Sequence, residues 1–200
     1  MPMNPKDMKF GLIGHPIAHS LSPALFRAGY DGRYQYDLIE TPDFEQAYER
    51  FIQEYDGVNV TAPFKELAFR KADILSEECR RIGAANLLIK TPEGVKAYNS
   101  DYLGVRLWLL EVAEGLKRTP PRVLIVGLGG AGKAAAEAAR SLGMEVRILN
   151  RTIYNNDIRP LGEFREEFRK ADIVIYNLPV RIPQMDELSD EDFGAGQPKL

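Results

Sequence analysis

The stretch GVNVTAPFK, residues 57–65, places a lysine in the predicted first turn of a helix, directly after a short apolar strand. A helix start carries partial positive charge, so a cation there is disfavoured by a few tenths to about 1 kcal/mol. Departures from local rules are expected at functional positions. Lysine works as a proton donor or acceptor when its surroundings oppose its charge, which makes Lys65 a candidate acid–base group. A second stretch, VLIVGLGGAGKAA, sets Gly127, Gly129 and Gly132 in G-x-G-x-x-G spacing between a predicted strand and helix. Glycines so spaced allow a tight turn, approach of a pyrophosphate to the backbone and close helix–strand packing. Gly130 and Ala131 complete the loop, and the helix N-terminus is suited to phosphate. In that context the pattern predicts dinucleotide binding; the bland alternative is a glycine-rich turn that binds nothing.

The next strand chooses among dinucleotides. NAD sites usually end it with an acid that holds the ribose 2′-hydroxyl. Here it runs into Asn150-Arg151-Thr152, and a guanidinium suits a 2′-phosphate. NADP is therefore expected over NAD.

The elements that must position these residues follow an α/β pattern, short apolar runs alternating with segments of helical period. Strands are expected near Lys9–Ile13, Tyr34–Glu40, Gly57–Val60, Asn86–Lys90 and Val95–Tyr98, with TPEG (Thr91–Gly94) as a hairpin turn between the last two. Helices are expected over Ser22–Tyr30, Asp43–Glu54, Pro63–Lys71 and Leu75–Ile82. A long helix, about Tyr102–Glu114, then connects to a second half, and Pro120-Pro121 ends helical structure before strand Arg122–Val126. Beyond the glycine loop come a helix to Leu142, strand Glu145–Leu149, a helical stretch Leu161–Lys170 and strand Ile173–Tyr176. The fold class is an N-terminal α/β domain with a mostly parallel sheet, residues 1–101, followed by a shortened Rossmann-like domain, residues 102–200.

Composition narrows the classes. The 200 residues are 44% hydrophobic and 28% charged, with net charge −3, so no basic field for nucleic acid or an anionic membrane is expected. One cysteine, Cys79, and two histidines suit neither a disulfide nor a familiar zinc site. Cys79 is expected to be a packing residue, and His15 and His19 loop residues rather than proton carriers. MPMNPKDMKF lacks the apolar core of a signal peptide, and no run approaches the roughly 20 residues that span a bilayer. A cytoplasmic protein is expected, its oligomeric state open, a homodimer included.

Several motifs together resemble the shikimate dehydrogenase family. They are GHPIAHSLSP (14–23), NVTAPFK (59–65), GAANLL (83–88), YNSDYLG (98–104), GLGGAG (127–132) and NRT (150–152). The resemblance implies reduction of 3-dehydroshikimate to shikimate with NADPH, by a substrate domain and a nucleotide domain. Carried over position by position, it implies that Lys65 is the catalytic lysine and Asp101 its carboxylate partner. Ser20 and Ser22 would hold the carboxylate of the small-molecule substrate, and Thr61, Asn86 and Asp101 its ring hydroxyls. Arg151 would grip the 2′-phosphate, flanked by Asn150 and Thr152. Structural alternatives stand beside each role. Ser22 before Pro23 has the form of a helix N-cap, Asp101 stands where an N-cap would open the next helix, and Asn59 and Asn86 could simply satisfy backbone groups at strand ends.

The chain also departs from that pattern. Asn155 stands where relatives often carry a second basic residue, Leu87 replaces a common threonine, and only about 20 residues separate Arg151 from the strand ending in Tyr176-Asn177. The sequence closes on GAGQPKL, before further elements the resemblance implies. Either the chain is a truncated form, for which uncovered edges and reduced turnover are expected, or the sequence is part of a longer chain. The alternatives are a catalytically silent NADP-binding module of the same fold and a dehydrogenase for quinate or another polyol acid.

Overall fold

The computed structural model describes residues 8–193; the opening MPMNPKD and the closing GAGQPKL lie outside them. The chain divides into two compact units after Ser100.

The first unit runs Lys9–Gly14 (β1), Ser22–Gly29 (α1), Gln35–Glu40 (β2), Phe44–Glu54 (α2), Gly57–Val60 (β3), Lys65–Lys71 (α3), Ile74–Leu75 (β4), Glu77–Ile82 (α4), Leu87–Thr91 (β5) and Gly94–Tyr98 (β6). Its sheet has the order β2-β1-β3-β5-β6-β4. All neighbours are parallel except β5, which runs against β3 and β6. The near-continuous apolar runs LIG and VNV place β1 and β3 in the middle, buried on both faces as parallel strands require. Phe44, Phe51 and Tyr55 from α2 and its end join Ile13, Val58, Val60 and Leu88 in one core. Asp43 caps α2 by accepting the N–H groups of Glu45 and Gln46 at 2.9 and 3.4 Å, an interaction typically worth about 1 kcal/mol. On the other face Phe26 of α1 lies 5.3 Å from Phe10 and 4.5 Å from Tyr36, ring centre to ring centre.

The second unit runs Ser100–Ala113 (α5), Arg122–Val126 (β7), Gly130–Ser141 (α6), Glu145–Asn150 (β8), Ile158–Pro160 (β9), Phe164–Lys170 (α7) and Ile173–Tyr176 (β10). The first residue of α5, Ser100, belongs to the first unit. The sheet order is β10-β7-β8-β9, all parallel. RVLIV of β7 is central and its last four residues are buried; the alanines of α6 pack close against it.

Several expectations need correction. The expected helix over Pro63–Lys71 begins only at Lys65, because Thr61–Phe64 forms a turn closed by the Phe64 N–H on the Thr61 carbonyl at 3.0 Å. The expected helix Leu75–Ile82 splits into β4 and α4, since Ser76 caps α4 by accepting the Cys79 N–H. Ser22 does not cap α1: it is the first helical residue and Leu21 takes the cap position. Asp101 likewise lies within the first turn of α5 rather than ahead of it. Between Arg151 and β10 the chain holds β9 and a 3-10 turn besides the expected helix, α7. Cys79 is fully buried, as packing requires.

Beyond β10 the chain is fastened by Asp192, 1% exposed. Its carboxylate takes the Arg165 guanidinium at 3.1 Å, that of Arg169, and the Ser189 N–H at 2.7 Å. Arg165 above all, with the Ser189 N–H, holds this carboxyl far below its ordinary value of 3.8. A lowered carboxyl stabilises the fold above its unfolded pKa and ceases to do so as pH falls through the folded value. Asp192→Asn should therefore lower Tm at neutral pH, and the gap to wild type should narrow steadily below pH 3.8. A gap of constant size in thermal melts across that range would rule out the carboxylate charge as its source.

Candidate functional site

The first unit gathers polar groups at the carboxyl edge of its sheet. The chain crosses from β1 to β2 on one side and then to β3 on the other, so β1 and β3 meet at a topological switch point, where open α/β sheets bind ligands. The loop after β1 carries Ser20 and Ser22; the turn after β3 carries Thr61 and leads to Lys65. Because β5 runs antiparallel, with Leu87 opposite Asn59, the residue before it, Asn86, arrives at the same edge. The end of β6 lies there too, with Leu87 opposite Tyr98.

Hydrogen bonds tie these segments together. The Thr61 N–H donates to the Ile13 carbonyl at 2.9 Å and the His15 N–H to the Ala62 carbonyl at 3.2 Å, joining the loops after β1 and β3. The Ala85 N–H donates to the Lys65 carbonyl at 2.9 Å, fixing the start of α3 against GAAN. Asn86, buried at 7% exposure, accepts the Val60 N–H at its carbonyl at 2.9 Å and gives its own N–H to Tyr98 at 3.1 Å. Its side chain accepts the Ser100 N–H at 2.8 Å and donates to the Ser100 hydroxyl at 3.0 Å. Asn99, fully buried, donates its side-chain amide to the Ala84 carbonyl at 3.0 Å. In the serine loop the Ser20 hydroxyl donates to the Ser22 hydroxyl at 3.1 Å and accepts the Ser22 N–H at 3.2 Å. Glu40 at the end of β2 accepts the Ile17 N–H at 3.1 Å and steadies the same loop.

Ser20, Ser22, Thr61, Lys65 and Asn86 thus share one sheet edge, each partly or largely buried. Asp101 directly follows Ser100, whose N–H Asn86 holds. His15 and His19 are exposed in the loop after β1. Sequence reading passed over Tyr36, whose hydroxyl donates to Asn59 Oδ1 at 2.9 Å; an aromatic in the alternating strand QYDLIE carries no signal beyond packing. It also passed over the buried Asn99 and the exposed Ser100 and Glu40, whose partners are remote in sequence.

The second unit builds its loop at the carboxyl end of β7. Gly127 has φ +92, a backbone region that side chains rarely adopt. A Cβ on Gly132 would lie 2.0 Å from the Gly127 carbonyl oxygen, whereas one on Gly129 would meet nothing within 4 Å. Gly132 therefore packs helix to strand, and Gly129 leaves open space beside the N-terminus of α6. Gly129 offers no side-chain cap there, so the first N–H groups of α6 suit a phosphate. Gly130 and Ala131 form that first turn. Asn150 Oδ1 accepts the Leu128 N–H at 3.2 Å and its amide donates to the Thr152 carbonyl at 2.9 Å, pinning the glycine loop to the NRT turn. Arg151 and Thr152 are exposed. The geometry fits the phosphates of a dinucleotide at the start of α6. No group of metal-ligating side chains occurs among the described residues, and no described helix is long and apolar enough to cross a membrane.

Comparisons with known proteins agree with this division. Residues 12–88 match the family model described as the shikimate dehydrogenase substrate binding domain. Residues 86–198 match that of the D-isomer specific 2-hydroxyacid dehydrogenase NAD binding domain, in keeping with a Rossmann-like second unit. The shikimate dehydrogenase of Thermotoga petrophila is 37% identical over 189 residues, covering 92% of this chain; the chain spans 64% of that relative's length. The crystal structure of shikimate 5-dehydrogenase from Thermus thermophilus, in complex with NADP(H) and shikimate, is 30% identical with a TM-score of 0.71, over 86% of this chain and 68% of the other. That of shikimate dehydrogenase from Thermotoga maritima is 31% identical with a TM-score of 0.74, over 93% of this chain and 75% of the other. With that agreement in sequence and backbone running through both units, the chain belongs to the shikimate dehydrogenase family.

Proposed function

We propose that the chain interconverts 3-dehydroshikimate and shikimate with NADPH and NADP. The observation that carries this reading is the convergence of Ser20, Ser22, Thr61, Lys65 and Asn86 on one sheet edge at the β1/β3 switch point. A cyclic polyol acid needs hydroxyl donors for its carboxylate and amide, hydroxyl and ammonium groups for its ring oxygens, and this edge carries both.

In this reading Ser20 and Ser22 take the carboxylate, while Thr61 and Asn86 orient the ring hydroxyls. Lys65 gives a proton to the carbonyl oxygen as it becomes a hydroxyl, and takes it back in the reverse direction. Asp101, one residue beyond the Ser100 that Asn86 holds, is the carboxylate that directs the lysine. NADPH supplies the hydride. The chain's own part in holding it falls to the N–H groups of Gly130 and Ala131 at the start of α6, to Gly127, Gly129 and Gly132, which shape the loop, and to Arg151 at the 2′-phosphate. Asn150 and Thr152 set the direction of Arg151 through their mutual hydrogen bond. The protein is cytoplasmic in this reading and engages neither nucleic acid nor membrane; a homodimer is compatible with it.

Shikimate-dependent reduction of NADP, followed by NADPH absorbance, should occur with the purified chain. It should fall about 10²- to 10⁴-fold in kcat in Lys65→Ala, the usual contribution of a general acid–base group. Turnover that survives this substitution would remove Lys65 from the mechanism, and wild type that binds NADP without turning over would leave a silent module. Arg151→Ala should weaken NADP by roughly 10- to 100-fold, the range for hydrogen bonds to a charged group, and NAD far less; equal losses in Kd would sink the 2′-phosphate assignment. The two glycines should separate. Gly129→Ala should weaken nucleotide binding with little change in Tm, whereas Gly132→Ala, forced against backbone, should lower both. Identical behaviour of the pair in melts and titrations would contradict the loop geometry.

A further inference from the structure

Ile17 lies in the loop between β1 and α1 and is buried, at 3% exposure. Its N–H belongs to no strand or helix, and a buried backbone donor must find an acceptor elsewhere. It donates to Oε1 of Glu40, 23 residues on, at 3.1 Å. The Ile17 carbonyl in turn accepts the Ser20 N–H at 2.8 Å. Ser20 then accepts the Ser22 N–H at its hydroxyl oxygen at 3.2 Å and donates that hydroxyl to Ser22 Oγ at 3.1 Å. Each step from the end of β2 to the second serine is therefore a hydrogen bond of ordinary length. The Ile17 side chain is confined as well. A Cβ on Gly14 would come within 2.6 Å of Ile17 Cγ2 and 2.4 Å of Thr61 Cγ2, so the bare glycine ending β1 lets isoleucine and threonine both close over it.

We infer that Glu40 is a positioning residue for recognition of the substrate carboxylate: by holding the Ile17 N–H it sets where Ser20 and Ser22 present their hydroxyls. This rests on the shikimate reading above for the identity of the ligand, but the connection itself is a property of the chain alone. Glu40 ends β2, the outermost strand on its side of the sheet, and is exposed, so burial does not dictate the residue type there. A carboxylate is an unexpected anchor for a loop that is to receive an anion, because like charges repel. Its use lies in its strength as an acceptor, since hydrogen bonds to an ionised group are roughly twice as strong as those between neutral groups. The loop must hold two hydroxyls in register for one carboxylate. Restricting it before the ligand arrives removes an ordering cost from binding, which is how preorganisation raises affinity.

Glu40→Ala removes the acceptor, whereas Glu40→Gln keeps an oxygen that can take the same N–H. Titration calorimetry with shikimate is expected to show Kd raised about 3- to 10-fold in Glu40→Ala, on the order of one hydrogen bond. Glu40→Gln should stay within about 2-fold of wild type, and NADP affinity should be unchanged in both. Where turnover is measured, KM for shikimate should rise in Glu40→Ala with kcat unchanged, the sign of lost binding rather than lost proton transfer. Unchanged or tighter shikimate binding by Glu40→Ala would overturn the proposal. So would a loss of shikimate and NADP affinity together, which would mean general damage, or a loss in Glu40→Gln as large as in Glu40→Ala. Amide hydrogen exchange supplies an arm that needs no ligand. The Ile17 and Ser20 N–H groups should exchange several-fold faster in Glu40→Ala and return toward wild type in Glu40→Gln, while strand amides of β1 and β3 keep their rates. If wild type binds no shikimate, the functional reading fails, and exchange alone decides the positioning role: faster exchange confined to the serine loop upholds it, and unchanged exchange refutes it.

Discussion

The edge of the first sheet depends on one buried amide. Asn86 sits at the start of the only strand in its sheet that runs against its neighbours, and that reversal brings the residue to the carboxyl end of β3. There its backbone joins β3 to β6 through Val60 and Tyr98, and its side chain holds Ser100 by both oxygen and nitrogen. A polar group so buried must be paired, since leaving it unmet costs about 1–3 kcal/mol. The four contacts therefore specify one arrangement of strand ends. With β5 reversed to parallel, its first residue would lie at the other edge, and neither Lys65 nor Ser100 would have this tie.

The second unit solves a similar problem with similar means. Its asparagine, Asn150, ends β8 and bonds the Leu128 N–H with its oxygen and the Thr152 carbonyl with its amide. In both units a side-chain amide at the mouth of a parallel sheet joins loops that follow different strands. Amides suit this task because one group offers donor and acceptor together without a charge to be desolvated. The glycine loop adds a steric condition, for the 2.0 Å clash a Cβ on Gly132 would make with Gly127 is with backbone and cannot be relieved by turning a side chain.

Much of this was legible because it is written in local rules. LIG, VNV and RVLIV are too apolar for a sheet with a wet face, and parallel burial follows. G-x-G-x-x-G between a strand and a helix has few other uses. What escaped reading is shorter or more distant. β4 is two residues, half-buried, and is ordered by pairing with β6; β9 is three, two of them exposed. Neither has the length to impose a period of two. Ser22 and Asp101 are residues that prefer cap positions, yet the helices begin at or before them, because a cap preference of about 1 kcal/mol yields to tertiary contacts such as the Asn86–Ser100 bonds. Tyr36 looks like any aromatic in a strand until Asn59 is placed beside it.

The side-chain hydrogen bonds at the first unit's edge form two series, Ser20 to Ser22 and Tyr36 through Asn59 and Asn86 to Ser100. Thr61 and Lys65 are tied to the same edge through backbone, by the Thr61–Ile13 and Ala85–Lys65 bonds. Groups that recognise a fixed shape gain from being held by their side chains, since every rotation removed beforehand is one that binding need not restrict. The Ala85–Lys65 bond anchors the main chain where α3 begins and so fixes where the lysine leaves the backbone.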